Sequence, residues 1–271
     1  MNGTLIYPLT QMSNLPKRVL AGAVGIPLIL AASYYGGIYF LIFSLIVSSL
    51  ALWEFCVMFE KKELAPLKFS GIIVSAAVII ILYTDWKYLL TIIFAITAFF
   101  TTAEIFRAKK NPLNPAVLLF GIIYITFPFV LLNALIKLAD YEIVIFIFIL
   151  IWTCDTAAYF GGRMFGRHQL SPVSPNKTWE GSIAGFIFTI IISLIIHFIF
   201  PEKINITDSV VIGLITGIFS QIGDLFESLL KRYCDVKDSS EIIPGHGGIL
   251  DRFDSLIFVA PLIFIYFMYL K

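Results

Sequence analysis

The sequence predicts an all-α, polytopic integral membrane protein with about nine transmembrane helices and a cytoplasmic N-terminus. Three observations carry this. Of the 271 residues, 59% are hydrophobic and only 14% are charged, and 26 are Phe, with a mean hydropathy of +0.93. A soluble domain has about 45–50% apolar and roughly 25% charged residues, and it cannot hide this much apolar surface from water. The apolar residues come in long runs without the alternation of an outer-membrane barrel strand. Finally, Lys and Arg fall unevenly between the two sides that those runs define.

A spanning helix needs about 20 mostly apolar residues, with roughly 17–25 tolerated. That window marks 20–35, 38–58, 67–83, 88–106, 115–136, 143–160, 182–200, 209–230 and 253–270. Only 34–37 separates the first two. Between the spans the charges alternate in side. Lys17 and Arg18 precede the first, Lys61, Lys62 and Lys68 surround the 61–67 connection, and Arg107, Lys109 and Lys110 follow the fourth. Arg163, Arg167, Lys177, Lys231, Arg232, Lys237 and Arg252 lie in two long polar connections on that same side. The opposite side carries only Lys87, Lys137, Lys203 and Lys271, so the division is 15 against 4. The positive side is cytoplasmic, which places the N-terminus inside and Lys271 outside. Pro112, Pro115 and Pro128 read as helix punctuation or a kink.

No internal repeat is apparent, which weighs against many secondary transporters. No low-complexity tract divides the chain, so 1–271 reads as one transmembrane domain. Residues 1–15 lack the basic flank and apolar core of a cleavable signal. The net charge of +1 gives no reason to expect a nucleic-acid partner. Cys56, Cys154 and Cys234 are odd in number and widely spaced, and read as small buried hydrophobes, not as zinc ligands or a disulfide framework. His197, in an apolar run, reads as packed or interfacial.

Six carboxylates fall within or at the edges of the predicted spans: Glu54, Glu104, Asp155, Asp224, Glu227 and Asp254. A charge at the bilayer centre costs at least ~2.5–3.5 kcal/mol, so such acids are functional candidates by default. Each stands toward the cytoplasmic end of its helix in the predicted topology, which suggests a polar cavity open to the cytosol. Glu54 and Glu104 have Lys61 and Arg107 near in sequence and read equally well as interfacial ion pairs. Asp224 and Glu227 are three residues apart on one helix face. Two like charges there repel unless a cation sits between them.

The two polar connections concentrate the remaining chemistry in 150–256. The first runs from Asp155 through Arg163, Arg167 and His168 to Ser174-Pro-Asn-Lys-Thr-Trp-Glu-Gly181. The second, 228–254, gathers Lys231, Arg232, Lys237 and Arg252 with His246, Asp238, Asp251 and Asp254. Carboxylates hold a hard divalent cation, and basic side chains with glycine-rich backbone receive phosphate. Together the two loops point to an enzyme acting on a phosphorylated lipid.

The second connection resembles the signature of CDP-diacylglycerol synthases (phosphatidate cytidylyltransferases). The resemblance lies in Lys231-Arg232, Lys237-Asp238, His246-Gly247-Gly248 and Asp251-Arg252-Phe253-Asp254, and the stretch 174–181 is similar to that family's other polar segment. It covers roughly the C-terminal half of the chain. The resemblance implies that CTP and phosphatidate give CDP-diacylglycerol and pyrophosphate, in the plasma (inner) membrane of a prokaryote with the site facing the cytoplasm. It implies a catalytic set of Asp224, Asp251, Lys231, Arg232, Lys237, Asp238, His246 and Arg252. Substrate binding would fall to Ser174, Asn176, Lys177, Thr178, Glu180, Asp155, Gly247 and Gly248. The cation would be Mg2+, with a monovalent ion such as K+ beside it, on Asp224 and Asp251, with Glu227 and Asp254 as further acidic ligands. A homodimer is also implied. The alternatives are another CTP-using lipid enzyme, either an ether-lipid cytidylyltransferase or a polyprenol kinase, and, more remotely, a cation-coupled transporter.

Overall fold

Apolar runs this long bury their backbone polar groups by closing them into helices, since lipid offers no hydrogen-bond partner. The structure, a computed structural model, describes residues 15–243 and 247–271. Residues 1–14, where no cleavable signal is expected, and His246 lie outside the described residues. The helices are α1 (Leu15–Tyr35), α2 (Gly37–Glu60), α3 (Lys68–Thr84), α4 (Leu89–Ile105), α5 (Leu113–Gly121), α6 (Phe127–Phe165), α7 (Trp179–Ile199), α8 (Ile206–Tyr233) and α9 (Leu250–Ile265). Among the described residues, six helical stretches are long and apolar enough to cross a membrane: Gly37–Glu60, Trp86–Ile105, Leu113–Phe165, Trp179–Ile199, Ile206–Tyr233 and Leu250–Leu270. The apolar helices Ala21–Tyr35 and Lys68–Thr84 are shorter.

Two spans are expected over 115–136 and 143–160. The helices on either side of Asp140 follow that division, and the departure is that α5 runs through a π turn at Ile122–Thr126 into α6. The resulting 53 residues, Leu113–Phe165, would extend about 80 Å at 1.5 Å per residue, against a hydrocarbon core of about 30 Å. Asp140 interrupts this stretch, with φ 67° and ψ 166°, a conformation that a non-glycine residue rarely adopts.

A second difference lies in the first polar connection. It contains a small antiparallel hairpin, β1 (Gln169–Ser171) paired with β2 (Ser174–Thr178), turning at Pro172-Val173. Proline presets the dihedral that a tight turn requires, and the hairpin pairs backbone groups of this connection with one another.

The core lies between α2, α6 and α9, where Phe40, Phe55, Phe129, Leu132, Leu250 and Ile263 are fully buried. By contrast Leu90, Phe94, Phe198 and many other large apolar side chains are exposed, as befits a surface facing lipid. Polar side chains inside the bundle find one another. Ser75 and Thr126 lie 2.8 Å apart with Ser48 beside them, and Asn133 donates to Ser44 at 2.8 Å. Cys56, Cys154 and Cys234 are free and buried, as their spacing suggests. Burial pushes the Cys234 thiol up.

Contacts sort the connections into two groups. In one, Arg107 donates to the Ala65 carbonyl at 2.5 Å, Lys62 pairs with Asp235 at 2.5 Å, and Arg232 reaches the Val173 carbonyl at 3.5 Å. The Asp235 carboxylate holds the Lys62 ammonium above the ordinary lysine range. In the other group, Tyr34 packs on Tyr141, Lys137 donates to the Tyr83 carbonyl at 2.5 Å, and Lys203 pairs with Glu142 at 2.8 Å. His197 there is half-buried, its Nδ1 2.7 Å from the Ile204 carbonyl.

Candidate active site

Glycines let the helices that carry acids approach closely. A Cβ on Gly181 of α7 would stand 2.6 Å from the Ala158 carbonyl of α6, and one on Gly185 3.0 Å from that of Cys154. A Cβ on Gly223 of α8 would stand 2.6 Å from the Asp254 carbonyl of α9. Only a missing side chain permits these separations, a common device where helices pack in lipid. The result joins Asp155 of α6, Asp224 of α8 and Asp254 of α9 in one electrostatic cluster with Lys177 and Arg252. Lys177, on β2, forms an ion pair with Asp224. Asp254 is buried and accepts from the Ser255 amide at 2.6 Å, while Asp155 is accessible from the protein surface.

A second cluster lies beside the first. Lys231, mostly buried, stands between Glu227 and Asp251, pairing with both, at 2.6 Å to Asp251 Oδ1. Asp251 Oδ2 accepts from the Ser239 amide (3.0 Å), the Ser239 hydroxyl (2.9 Å) and the Gly248 amide (2.7 Å). Gly247 has a φ of +84°, which favours glycine, and a Cβ there would also come within 2.6 Å of Asp251 Oδ2. A Cβ on Gly248 would collide with Ser239 and Glu54. Both glycines of the signature therefore have a steric reason to be glycine.

Glu54 of α2 is fully buried and holds this loop from below. Its Oε1 accepts from the Ser240 hydroxyl (2.6 Å) and the Ile249 amide (2.9 Å). Its Oε2 accepts from the Ser239 hydroxyl (3.0 Å) and the Leu250 amide (2.8 Å). A carboxylate thus caps the first turn of α9, where the free amides and helix dipole favour negative charge. The sequence leaves Glu54 open between function and a surface ion pair. Its signal was an acid inside an otherwise apolar helix; its partners, 185 and more residues away, leave none. Glu104, the other ambiguous acid, pairs with Arg107 at 3.0 Å and accepts from Asn111 and Asn114, so it ties the 106–112 connection together.

The remaining candidates fall into three settings. Thr178 caps α7, its hydroxyl accepting from the Gly181 amide at 3.1 Å. Glu180 accepts from the amides of Arg167 (3.0 Å) and His168 (3.2 Å) and lies 2.5 Å from His168 Nδ1. These two fasten the hairpin and so fix Lys177. Arg232 is exposed and bonds to the Val173 and Val236 carbonyls, bridging the two polar connections. Asn176, Lys237 and Asp238 are exposed and Ser174 is half-buried along the same edge.

The donor set suits a hard divalent cation. Asp155, Asp224, Glu227, Asp251 and Asp254 are five carboxylates gathered with three cations, Lys177, Lys231 and Arg252, an excess of two negative charges. Glu227 is fully buried, its Oε2 in the ion pair with Lys231 and its Oε1 without a hydrogen-bond partner. No three acidic, His or Cys side chains among the described residues form a ready-made cage. A divalent ion held there would keep water and substrate phosphate in its coordination.

Fold and site together define an integral membrane protein whose acids, lysines and glycine-shaped loop converge between helices in the manner of a phosphoryl-transfer centre. The sequence profile of the cytidylyltransferase family matches residues 16–270, and the chain belongs to that family. Phosphatidate cytidylyltransferases of Staphylococcus haemolyticus and Staphylococcus saprophyticus are each 34% identical to it, and that of Staphylococcus aureus is 33% identical. In each case 254 residues align, 91% of this chain and 96% of the relative. The match extends the resemblance seen in 228–254 across nearly the whole chain. The chain is thus an enzyme of this family.

Proposed function

We propose that the protein makes CDP-diacylglycerol and pyrophosphate from CTP and phosphatidate. The lipid phosphate oxygen attacks the CTP α-phosphorus. A new phosphoanhydride bond forms, the α–β bond breaks, and the electron pair leaves with pyrophosphate. No protein nucleophile is required. The observation that carries this reading is the convergence of Asp155, Asp224 and Asp254 with Lys177 beside the loop held by Asp251 and Lys231. Bound Mg2+, held by Asp224 and Asp251 with Glu227 and Asp254 as further acidic ligands, would neutralise charge developing on the transferred phosphorus and leaving group. A monovalent ion such as K+ beside it completes the cofactors this reading assigns.

The side chains divide the remaining work. Lys177 on its clamped hairpin and Arg252 at the start of α9 receive phosphate oxygens, and Arg232 and Lys237 line the edge by which a triphosphate enters; His246, outside the described residues, is assigned to the same catalytic set by the family resemblance. Ser174 and Asn176 offer hydrogen bonds there, while the unsubstituted backbone at Gly247 and Gly248 allows close approach. Asp238, on the same rim, orients the neighbouring Lys237.

This reading includes a topology. The chain crosses the membrane nine times, as one domain whose chemistry lies in 150–256, with its N-terminus and site at the cytoplasmic face of a prokaryotic plasma membrane. Successive connections alternate between the two contact groups, which supports it. The group around the acids also holds most of the Lys and Arg. We further assign a homodimer, as the family resemblance implies.

The direct test supplies purified protein with Mg2+, phosphatidate and CTP labelled at either the α or the γ phosphorus. Cytidylyl transfer carries only the α label into lipid, with pyrophosphate released in equal amount. Transfer of the γ label, or use of a polyprenol in place of phosphatidate, would establish a lipid kinase instead.

A further inference from the structure

A cavity of about 550 Å3 with an apolar lining lies between α4, α6, α8 and α9. Its walls include Ile93, Tyr124, Leu131, Phe219, Phe258 and Pro261. Helix irregularities keep it open. The π turn Ile122–Thr126 and Pro128 form one wall, and Pro261, inside α9, forms the other. Proline interrupts the hydrogen-bond ladder and a π turn displaces side chains, so facing helices cannot close over the gap.

Its position relative to the acids is informative. Tyr124, buried in the wall, lies within electrostatic reach of Asp254, Glu227 and Asp224, and its hydroxyl has no hydrogen-bond partner. Phe219 precedes Asp224 by five residues on α8, and Pro261 follows Asp254 by seven on α9. At 1.5 Å per residue the cavity therefore begins about 7–11 Å from the acids along both helices. Leu131 lies further along α6, toward Lys137 and the opposite group of connections. A lipid whose phosphate sits among the acids sends its hydrocarbon along this line.

Resting on the proposed reaction, we infer that this cavity takes one acyl chain of the phospholipid substrate, with Tyr124 at its mouth. The cavity then senses chain length, because its far end is reached only by a long chain. Its start about 7–11 Å from the acids along α8 and α9 distinguishes it from the outer surface at Leu90 and Phe94, which any membrane lipid can cover.

The test compares long-chain (dioleoyl) with short-chain (dihexanoyl) phosphatidate as substrates of the full-length enzyme in mixed micelles. Ile93→Trp and Leu131→Trp fill the far end, and Phe94→Trp, on the exposed face of α4, is the control. The expected result is a roughly tenfold or greater loss of kcat/KM for the dioleoyl lipid in both cavity variants, the scale at which pockets discriminate hydrocarbon. Turnover of the dihexanoyl lipid stays at the wild-type rate, which also shows that the variants fold, and Phe94→Trp behaves as wild type. Equal loss with both lipids, no loss with either, or the same loss in Phe94→Trp overturns the assignment. Absence of any lipid-linked cytidine from the wild-type enzyme with both lipids instead overturns the reaction on which it rests.

Discussion

Two lysines with similar partners have different settings, and the difference predicts different mutant behaviour. Lys177 and Asp224 are each about a third exposed (29% and 32%). Such a pair contributes at most about 1 kcal/mol to stability, so Lys177→Ala should abolish turnover with little change in thermal midpoint. Lys231 is only 12% exposed and neutralises Glu227 and Asp251, which are 0% and 4% exposed. Its removal leaves buried charge uncompensated, and Lys231→Ala should destabilise by about 3–5 kcal/mol as well as inactivate. Thermal unfolding in detergent alongside the assay separates the two. Glu54 belongs with Lys231. Glu54→Ala takes the acceptor from three donors around the start of α9, the Ser240 hydroxyl and the Ile249 and Leu250 amides, at about 1 kcal/mol or more each. It should therefore unfold far more readily than Glu63→Ala, which changes an exposed residue. Normal stability of Glu54→Ala would remove Glu54 from the account.

At the scale of elements, the site depends on how near α8 and α9 approach. Gly223→Ala places a methyl group 2.6 Å from the Asp254 carbonyl, and forcing the helices apart should cost about 1–3 kcal/mol and lower kcat by moving Asp254 from Asp224. Gly22→Ala, inside α1 with nothing within 4 Å of the new methyl, should leave kcat unchanged and raise stability by about 0.5–1 kcal/mol. The helices themselves were legible in hydropathy, because lipid demands long apolar runs whatever their tertiary partners. Asp224, Asp251 and Lys177 were legible too, because a charge in or beside such a run needs a reason. The β1–β2 hairpin was not, since four polar residues and a proline in 174–178 carry no strand periodicity, and neither was the π turn, which no composition marks. The roles of Glu54 and Ser239 depend on contacts across most of the chain, and a linear reading cannot see a cap supplied by another helix.

For the molecule as a whole, the gathering of acids and basic loops on one side makes topology and mechanism a single question. Under the proposed reaction, CTP is a polyanion that cannot cross the hydrocarbon, whereas phosphatidate presents its phosphate at headgroup depth, so the centre would open to the face where the nucleotide resides. Because the three native cysteines are buried, single cysteines can report sidedness. Lys203→Cys should react with an impermeant maleimide in intact cells and Lys109→Cys only after permeabilisation; the reverse pattern would invert the site. The most direct measurement is pyrophosphate release from CTP and phosphatidate by Asp155→Asn, Asp224→Asn and Asp251→Asn, each reconstituted in liposomes beside the wild-type protein and checked for folding. If the acids of α6, α8 and α9 form one charge-stabilising centre, turnover of each should fall by about a hundredfold or more, the scale of losing an electrostatic element from a preorganised site. Folded variants that keep more than about a tenth of wild-type turnover would lack only what a peripheral charge supplies, and would contradict the assignment of this centre.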